Sequence, residues 1–437
     1  MGFSSFRELH PTTRRLLKAR ALRSIGQGAL VVDFALYLRA LHWTGFSIGL
    51  VLGASGLLSA VLSLFLGMSS DRIRRKPFLL AYEIVSLFCC IGALLSAEPV
   101  LLTAAAVIGA FGRGAMGAAG PFAPVEQAWL AEEVAAHKRG WVYSLNAAMG
   151  FFGMALGALI AFLPWRGLLE GALVYRPLFA LVALTAAANL FLIGRAHESY
   201  RGSAPAPESA KPASANIRRG ENRILTKLVC INSLYGMTVG LTGPLMSYWF
   251  ARRFGIGPLE IAPVMALTFV ITGVASLITG TLTGTIGIVR SVVWGRLGAL
   301  VLLVLLPLMP TYWLAAPIYL LRSVLARSGA GAQQALTIGL VRNERRGLAA
   351  SLNTVSFQVP RSIGPAIAGY LFQYDWFSMP FFAGALFQSV YLSLYKKTFR
   401  AYEPPTNRPG IVENPEKNLE CEIVTDSTQP RSRGNRL

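Results

Sequence analysis

Asp33 is a carboxylate in apolar surroundings, thirteen residues past Arg20 in a run that begins near Leu16. An ionised side chain at bilayer depth is costly unless it is paired or faces water, so each such residue is a functional candidate. A carboxyl group in a low-dielectric site can take and release a proton near neutral pH, which is what a proton-coupled carrier needs. Gly26 and Tyr37 share its helical face at spacings of seven and four. The competing reading is that Asp33 permanently pairs an Arg and only orients helices. Arg113 is the second intramembrane charge, and the small residues after it, Gly114 to Ala119, equally suit close helix packing around an Arg neutralised by an acid. Further on stand Arg322, Arg327 and Arg361, in helices with few acids. An excess of buried guanidinium favours an anionic substrate, because it binds carboxylate or phosphate bidentately; the alternative for Arg322 and Arg327 is snorkelling. Gln27, Tyr37, Asn232, Tyr235 and Gln358 join Arg361 as candidate cavity residues, and each amide could instead bridge helices. Glu83 and Glu126 lie nearer the expected cytoplasmic ends and read as structural partners of basic loop residues.

The elements that must position these groups follow from composition and pattern. The chain has 437 residues, 54% hydrophobic and 14% charged, with net charge +20; its mean hydropathy is +0.50. Globular chains carry roughly 25% charged residues, so a membrane class is indicated. Apolar runs of spanning length start near Leu16, Phe46, Phe78, Pro99, Trp141 and Pro177, and again near Arg223, Leu259, Val289, Trp313, Leu348 and Ser378. The reading is an all-α polytopic membrane protein with twelve transmembrane helices. Residues 16–195 form a first six-helix half, 196–222 a Pro-, Ala- and Ser-rich linker, and 223–399 a second half, flanked by an N-terminal segment 1–15 and a polar tail 400–437. Lys and Arg cluster in alternate loops, which puts both termini in the cytoplasm of a plasma-membrane protein. The basic excess is thus a topology signal, and nucleic-acid binding is set aside because the clusters sit between apolar runs. The N-terminus offers neither a cleavable signal nor a myristoylation site.

Self-similarity gives the strongest internal signal. At a constant offset of 207, Gln127 matches Gln334, Arg139 and Gly140 match Arg346 and Gly347, Ser144 to Asn146 match Ser351 to Asn353, and Gly157 matches Gly364. Polar residues matching in register do not follow from apolar composition. Two halves of the same orientation form a parallel repeat, with a binding site expected between them near the bilayer midplane. Asn146 and Asn353, paired by the repeat near the cytoplasmic ends, read as gate residues.

Between the second and third runs stands Gly67-Met68-Ser69-Ser70-Asp71-Arg72-Ile73-Arg74-Arg75-Lys76. This resembles the signature loop of the major facilitator superfamily (MFS), with Arg74 where that family usually has Gly. The resemblance spans all twelve helices and implies the MFS fold, with Gly67, Asp71, Arg72, Arg75 and Lys76 as conformational-switch residues. The Arg113–Gly117 stretch is similar to the family's fourth-helix motif, which implies a part in proton coupling, although Met116 replaces the usual Gln. The family's antiporter Gly-Pro pair is missing from the fifth helix; Gly364-Pro365 occurs in the eleventh instead.

The function expected is a secondary active transporter of a small organic solute, working by alternating access with proton coupling, with an organic anion as one candidate solute. Proton-driven multidrug efflux and a non-transporting sensor or assembly partner with a carrier fold are the alternatives. No Walker-type phosphate loop is present, the four histidines are scattered, and Cys89, Cys90, Cys230 and Cys421 have no metal spacing. The chain is therefore expected to be no enzyme and to work as a monomer without cofactor or metal.

Overall fold

The computed structural model describes residues 9–69, 74–112, 123–134, 139–161, 171–198, 215–286, 288–327 and 346–399. Among them the regular structure is helical: α1 Pro11–Ala40, α2 Gly45–Ser69, α3 Arg75–Leu95, α4 Pro99–Ile108, α5 Ala123–Glu133, α6 Arg139–Ala161, α7 Arg176–Gly194, α8 Ala215–Thr242, α9 Met246–Phe254, α10 Pro258–Ile286, α11 Ile288–Leu305, α12 Tyr312–Arg327, α13 Arg346–Gln373 and α14 Met379–Phe399. Seven of these segments are long and apolar enough to cross a bilayer. Large apolar side chains such as Phe88, Leu95, Leu184, Trp294, Trp313 and Leu386 are exposed. On a soluble protein such a belt would drive aggregation; facing lipid, it is what a spanning bundle requires.

Two apolar runs are interrupted. The fourth leaves its helix at Ile108, and Ala110 (φ 57°) and Gly112 (φ 70°) both adopt left-handed backbone; the next described helix is α5, from Ala123. The seventh breaks around Pro244, so that α8 is followed by the short α9. Proline supplies no backbone donor and crowds the preceding turn, which accounts for the break. α8 also begins at Ala215, inside the 196–222 segment expected to be linker.

The packing follows the repeat. α6 lies along α1 in the first half as α13 lies along α8 in the second. The repeat-matched glycines sit at those two crossings: a methyl on Gly157 would fall 1.9 Å from the carbonyl oxygen of Ile25, and one on Gly364 would fall 2.2 Å from the carbonyl carbon of Gly240. Only glycine lets the backbones approach this closely. Two seams join the halves, α2 on α13 and α6 on α10, with a contact at one end where Ser247 Oγ of α9 donates to the Val31 carbonyl of α1.

Candidate functional site

The first half buries a charge network that joins five helices. Arg23 of α1 donates through Nε and Nη2 to Glu83 Oε1 of α3 (2.7 and 2.6 Å) and through Nη1 to Glu126 Oε2 of α5 (2.7 Å). Asn146 Nδ2 of α6 reaches Glu126 Oε1 at 3.2 Å, and Asn189 Nδ2 of α7 reaches Glu83 Oε1 at 3.3 Å. The Tyr82 ring lies 5.7 Å from the guanidinium. Arg20 is buried one turn away on α1 and packs on Gly150 of α6. Glu83 and Glu126 therefore partner Arg23, and not the loop's basic residues as their sequence positions suggested. Glu83 is eight residues beyond Arg75 on α3, roughly 12 Å along the axis, out of that loop's reach.

Arg75 and Lys76 have other partners. Arg75 makes a bidentate pair with Glu132 of α5 (2.5 and 2.6 Å), and the backbone N–H groups of both residues donate to Glu198 beyond α7. Lys76 Nζ caps the end of α7 through the carbonyls of Gly194 and Ala196. These bonds fasten the start of α3 to the ends of α5 and α7. Gly67 ends up in the last turns of α2, whereas Asp71, Arg72 and Arg113 lie outside the described residues.

On α1 the helical-face arithmetic is followed, and the face turns inward. Gly26 meets Val182 and Thr185 of α7, and the Tyr37 ring packs at 5.3 Å on Phe179 and 6.0 Å on Tyr175. Asp33, 1% exposed, shares that face, so its register aims it into the first half's own core. Tyr37 likewise lies in that core. Gln27 is half-buried, with Oε1 unpaired among the described residues.

The second half is electrostatically different. Arg296, Arg322 and Arg361 are buried and Arg327 half-buried, yet from Glu260 to Phe399 the only other acids in the sequence are Glu344 and Asp375. Glu260 begins α10, Asp375 follows α13 and pairs with Arg252 (2.7 Å), and Glu344 lies outside the described residues. Aromatic rings, a hydroxyl and an amide are among the groups that meet these guanidiniums. Arg296 lies 3.6 Å from the centre of the Tyr235 ring and 4.8 Å from that of Tyr391. Arg322 Nη2 donates to Thr242 Oγ1 at 2.8 Å. Arg327 lies over Phe151 of the first half at 4.8 Å. Arg361 has a long bond to Gln358 Oε1 (3.4 Å). Tyr235 is the hub, stacked on Phe357 at 5.6 Å with its hydroxyl donating to the Ala326 carbonyl. Asn232 donates to Asn353, so Asn353, like Asn146, makes its bond within its own half. Arg361 also lines a small cavity at the seam with Leu52, Gly56, Gly112, Pro244, Ser362 and Pro365, large enough for about one water.

The helical halves, their glycine crossings and a family model of the Major Facilitator Superfamily matching residues 17–232 and 228–421 agree. The chain belongs to that superfamily. A protein named multidrug resistance protein MdtG, from Enterobacter lignolyticus (strain SCF1), is 27% identical over 387 residues, covering 84% of this chain and 88% of the relative. Among solved structures, the nucleoside transporter NupG superposes with TM-score 0.67 at 12% identity, over 89% of this chain and all of its own. The human organic anion transporter MFSD10 (TETRAN) gives 0.63 at 14%, over 88% and 99%. This superfamily member is thus an all-α membrane transporter with the MFS fold, not an enzyme, and it acts on a small molecule from within a lipid bilayer.

Sequence reasoning missed Arg23 and Arg296. Arg23 follows a basic start of α1 and looks like end-of-span anchoring; its acids are 60 and 103 residues away. Arg296 carried a usable signal, a lone guanidinium inside an apolar run.

Proposed function

We propose that this MFS protein is a proton-coupled secondary carrier of a small organic anion, moving it by alternating access of residues 16–195 against 223–399 in the plasma membrane, with both termini cytoplasmic. The observation that carries the reading is the second half's interior: Arg322 and Arg361 are buried on α12 and α13, in a stretch whose described acids, Glu260 and Asp375, sit at helix ends. Buried cations are expensive without counter-charge. An incoming carboxylate or phosphate supplies it, and Arg361 at the seam is placed to meet the anion first, with Gln358, Tyr235 and Arg322 behind it. In the first half, Asp33 and the Arg23 network offer carboxyl groups for the coupling proton. Gly67, Asp71, Arg72, Arg75 and Lys76 act as the conformational switch, and Asn146 and Asn353 brace the helices at the gate.

A second reading, multidrug efflux, rests on the MdtG relative. Thermal-stability screening of purified wild type and Arg361→Ala, with benzoate, citrate and a sugar phosphate against ethidium and tetraphenylphosphonium, separates the two. A ligand that binds the folded state raises its melting temperature. Stabilisation by an anion that disappears in Arg361→Ala supports the anion carrier; stabilisation of both proteins by the lipophilic cations alone replaces it with drug efflux.

A further inference from the structure

Each carboxylate of the buried network faces one guanidinium and one carboxamide. Glu83 has Arg23 and Asn189, and Glu126 has Arg23 and Asn146. Both amides use their nitrogen, while Asn146 Oδ1 and Asn189 Oδ1 are buried without a hydrogen-bond partner among the described residues. Asn189 is fully buried and Asn146 is 6% exposed. An idle buried acceptor is costly, and natural structures satisfy nearly all of them. A carboxamide beside a carboxyl group can serve either protonation state: its N–H donates to the carboxylate, and after a half-turn its oxygen accepts from the carboxylic O–H. Arginine cannot do this, since it only donates and stays charged.

We propose that Glu83 and Glu126 together form a proton-binding site that takes up one proton per cycle, with Asn146 and Asn189 as its positioning residues. The proposal rests on the proton-coupled reading above and assigns its proton. With both acids ionised, Arg20 and Arg23 balance Glu83 and Glu126. A proton from water bonds to the carboxylate oxygen that the amide faces, Glu83 Oε1 or Glu126 Oε1, and the amide turns so that its oxygen accepts the new O–H; at Glu83 the Arg23 contacts to that same oxygen break, while at Glu126 Arg23 stays on Oε2. The network then carries one net positive charge, which matches one negative charge on the solute. The two acids share Arg23, so the proton belongs to the pair and not to either residue alone. The other groups facing it are Tyr82, Ser86 and Cys90 on α3. The network ties α1, α3, α5, α6 and α7 together, so exchanging an ionic bond for a neutral one loosens the packing of the half that must rock.

The test is an infrared pH titration of the full-length protein in lipid, following the C=O band of a protonated carboxylic acid. Wild type and Glu98→Gln, at the exposed N-cap of α4, should both show a titrating band sensitive to hydrogen–deuterium exchange, and Glu83→Gln/Glu126→Gln should lose it. A band kept in the double variant, as Asp33 would give if it took the proton, overturns the proposal. If the double variant does not fold, the single variants Glu83→Gln and Glu126→Gln decide: each must alter the titration, and two unaltered curves overturn the site. Benzoate uptake by wild-type proteoliposomes under an imposed proton gradient checks the parent reading separately. Uptake that ignores the gradient while the band still titrates removes the coupling assignment and leaves the pair as a proton-binding site.

Discussion

Gly49→Ala adds one carbon at the seam between the halves. That carbon would lie 2.0 Å from the Pro365 carbonyl oxygen, 2.7 Å from its carbon and 3.0 Å from Ala366 Cα. Non-bonded heavy atoms settle at about 3.5–4.0 Å, so α2 and α13 must part by more than about 1 Å. The obstacle is backbone, which no rotamer change relieves. Overpacking of this kind costs about 1–3 kcal/mol. A conformation in which the seam is parted does not bear that strain, so the equilibrium should move toward it about 5- to 150-fold. Gly92→Ala is the control, because nothing lies within 4 Å of its added methyl; in the last turn of α3 it should gain up to about 1 kcal/mol. Spin labels at Leu57 on α2 and Ile367 on α13, in a background with Cys89, Cys90, Cys230 and Cys421 replaced, report the separation. Gly49→Ala should populate a longer distance and Gly92→Ala should not. If Gly49→Ala keeps the wild-type distance distribution and melting temperature, the seam is not a close backbone contact.

Three further perturbations probe the first half. Glu83→Gln/Glu126→Gln should abolish uphill uptake while sparing exchange, measured in proteoliposomes with the anion that most stabilises wild type; uphill uptake at the wild-type rate removes the pair from the mechanism. Arg75→Ala and Glu132→Gln should couple by about 0.2–1 kcal/mol in a double-mutant cycle of thermal stability, because the bidentate pair is partly exposed, with 42% of the Glu132 side chain accessible; additive effects count against it. Arg23→Met leaves two buried carboxylates without their shared guanidinium and should cost about 3–5 kcal/mol of stability by chemical denaturation, a loss that the double variant Arg23→Met/Glu83→Gln, which keeps Glu126 against Arg20, should largely recover.

What could be read from the chain and what could not divide along a physical line. A spanning helix is a local property, since about 20 apolar residues suffice to cross the bilayer. Eleven of the twelve apolar-run starts fall within six residues of a described helix start; the seventh helix begins eight residues early, at Ala215. The offset-207 repeat is local in the same sense, and its Gly157 and Gly364 mark equivalent backbone crossings in the two halves. Partnership is not local. Spacing placed Gly26, Asp33 and Tyr37 on one face of α1, and the neighbours of Gly26 and Tyr37 show that this face packs on α7, but spacing holds no information on which helix a face meets. The same limit hid Arg23, whose neighbours in sequence are basic and whose partners come from α3 and α5. An intramembrane charge can therefore be flagged from one sequence, while its counter-charge, and so its chemistry, is decided by which helices pack. In the first half that packing gives each acid both an Arg and an Asn, and it is the Asn, able to donate or accept, that lets a buried ion pair respond to a proton instead of merely resisting one.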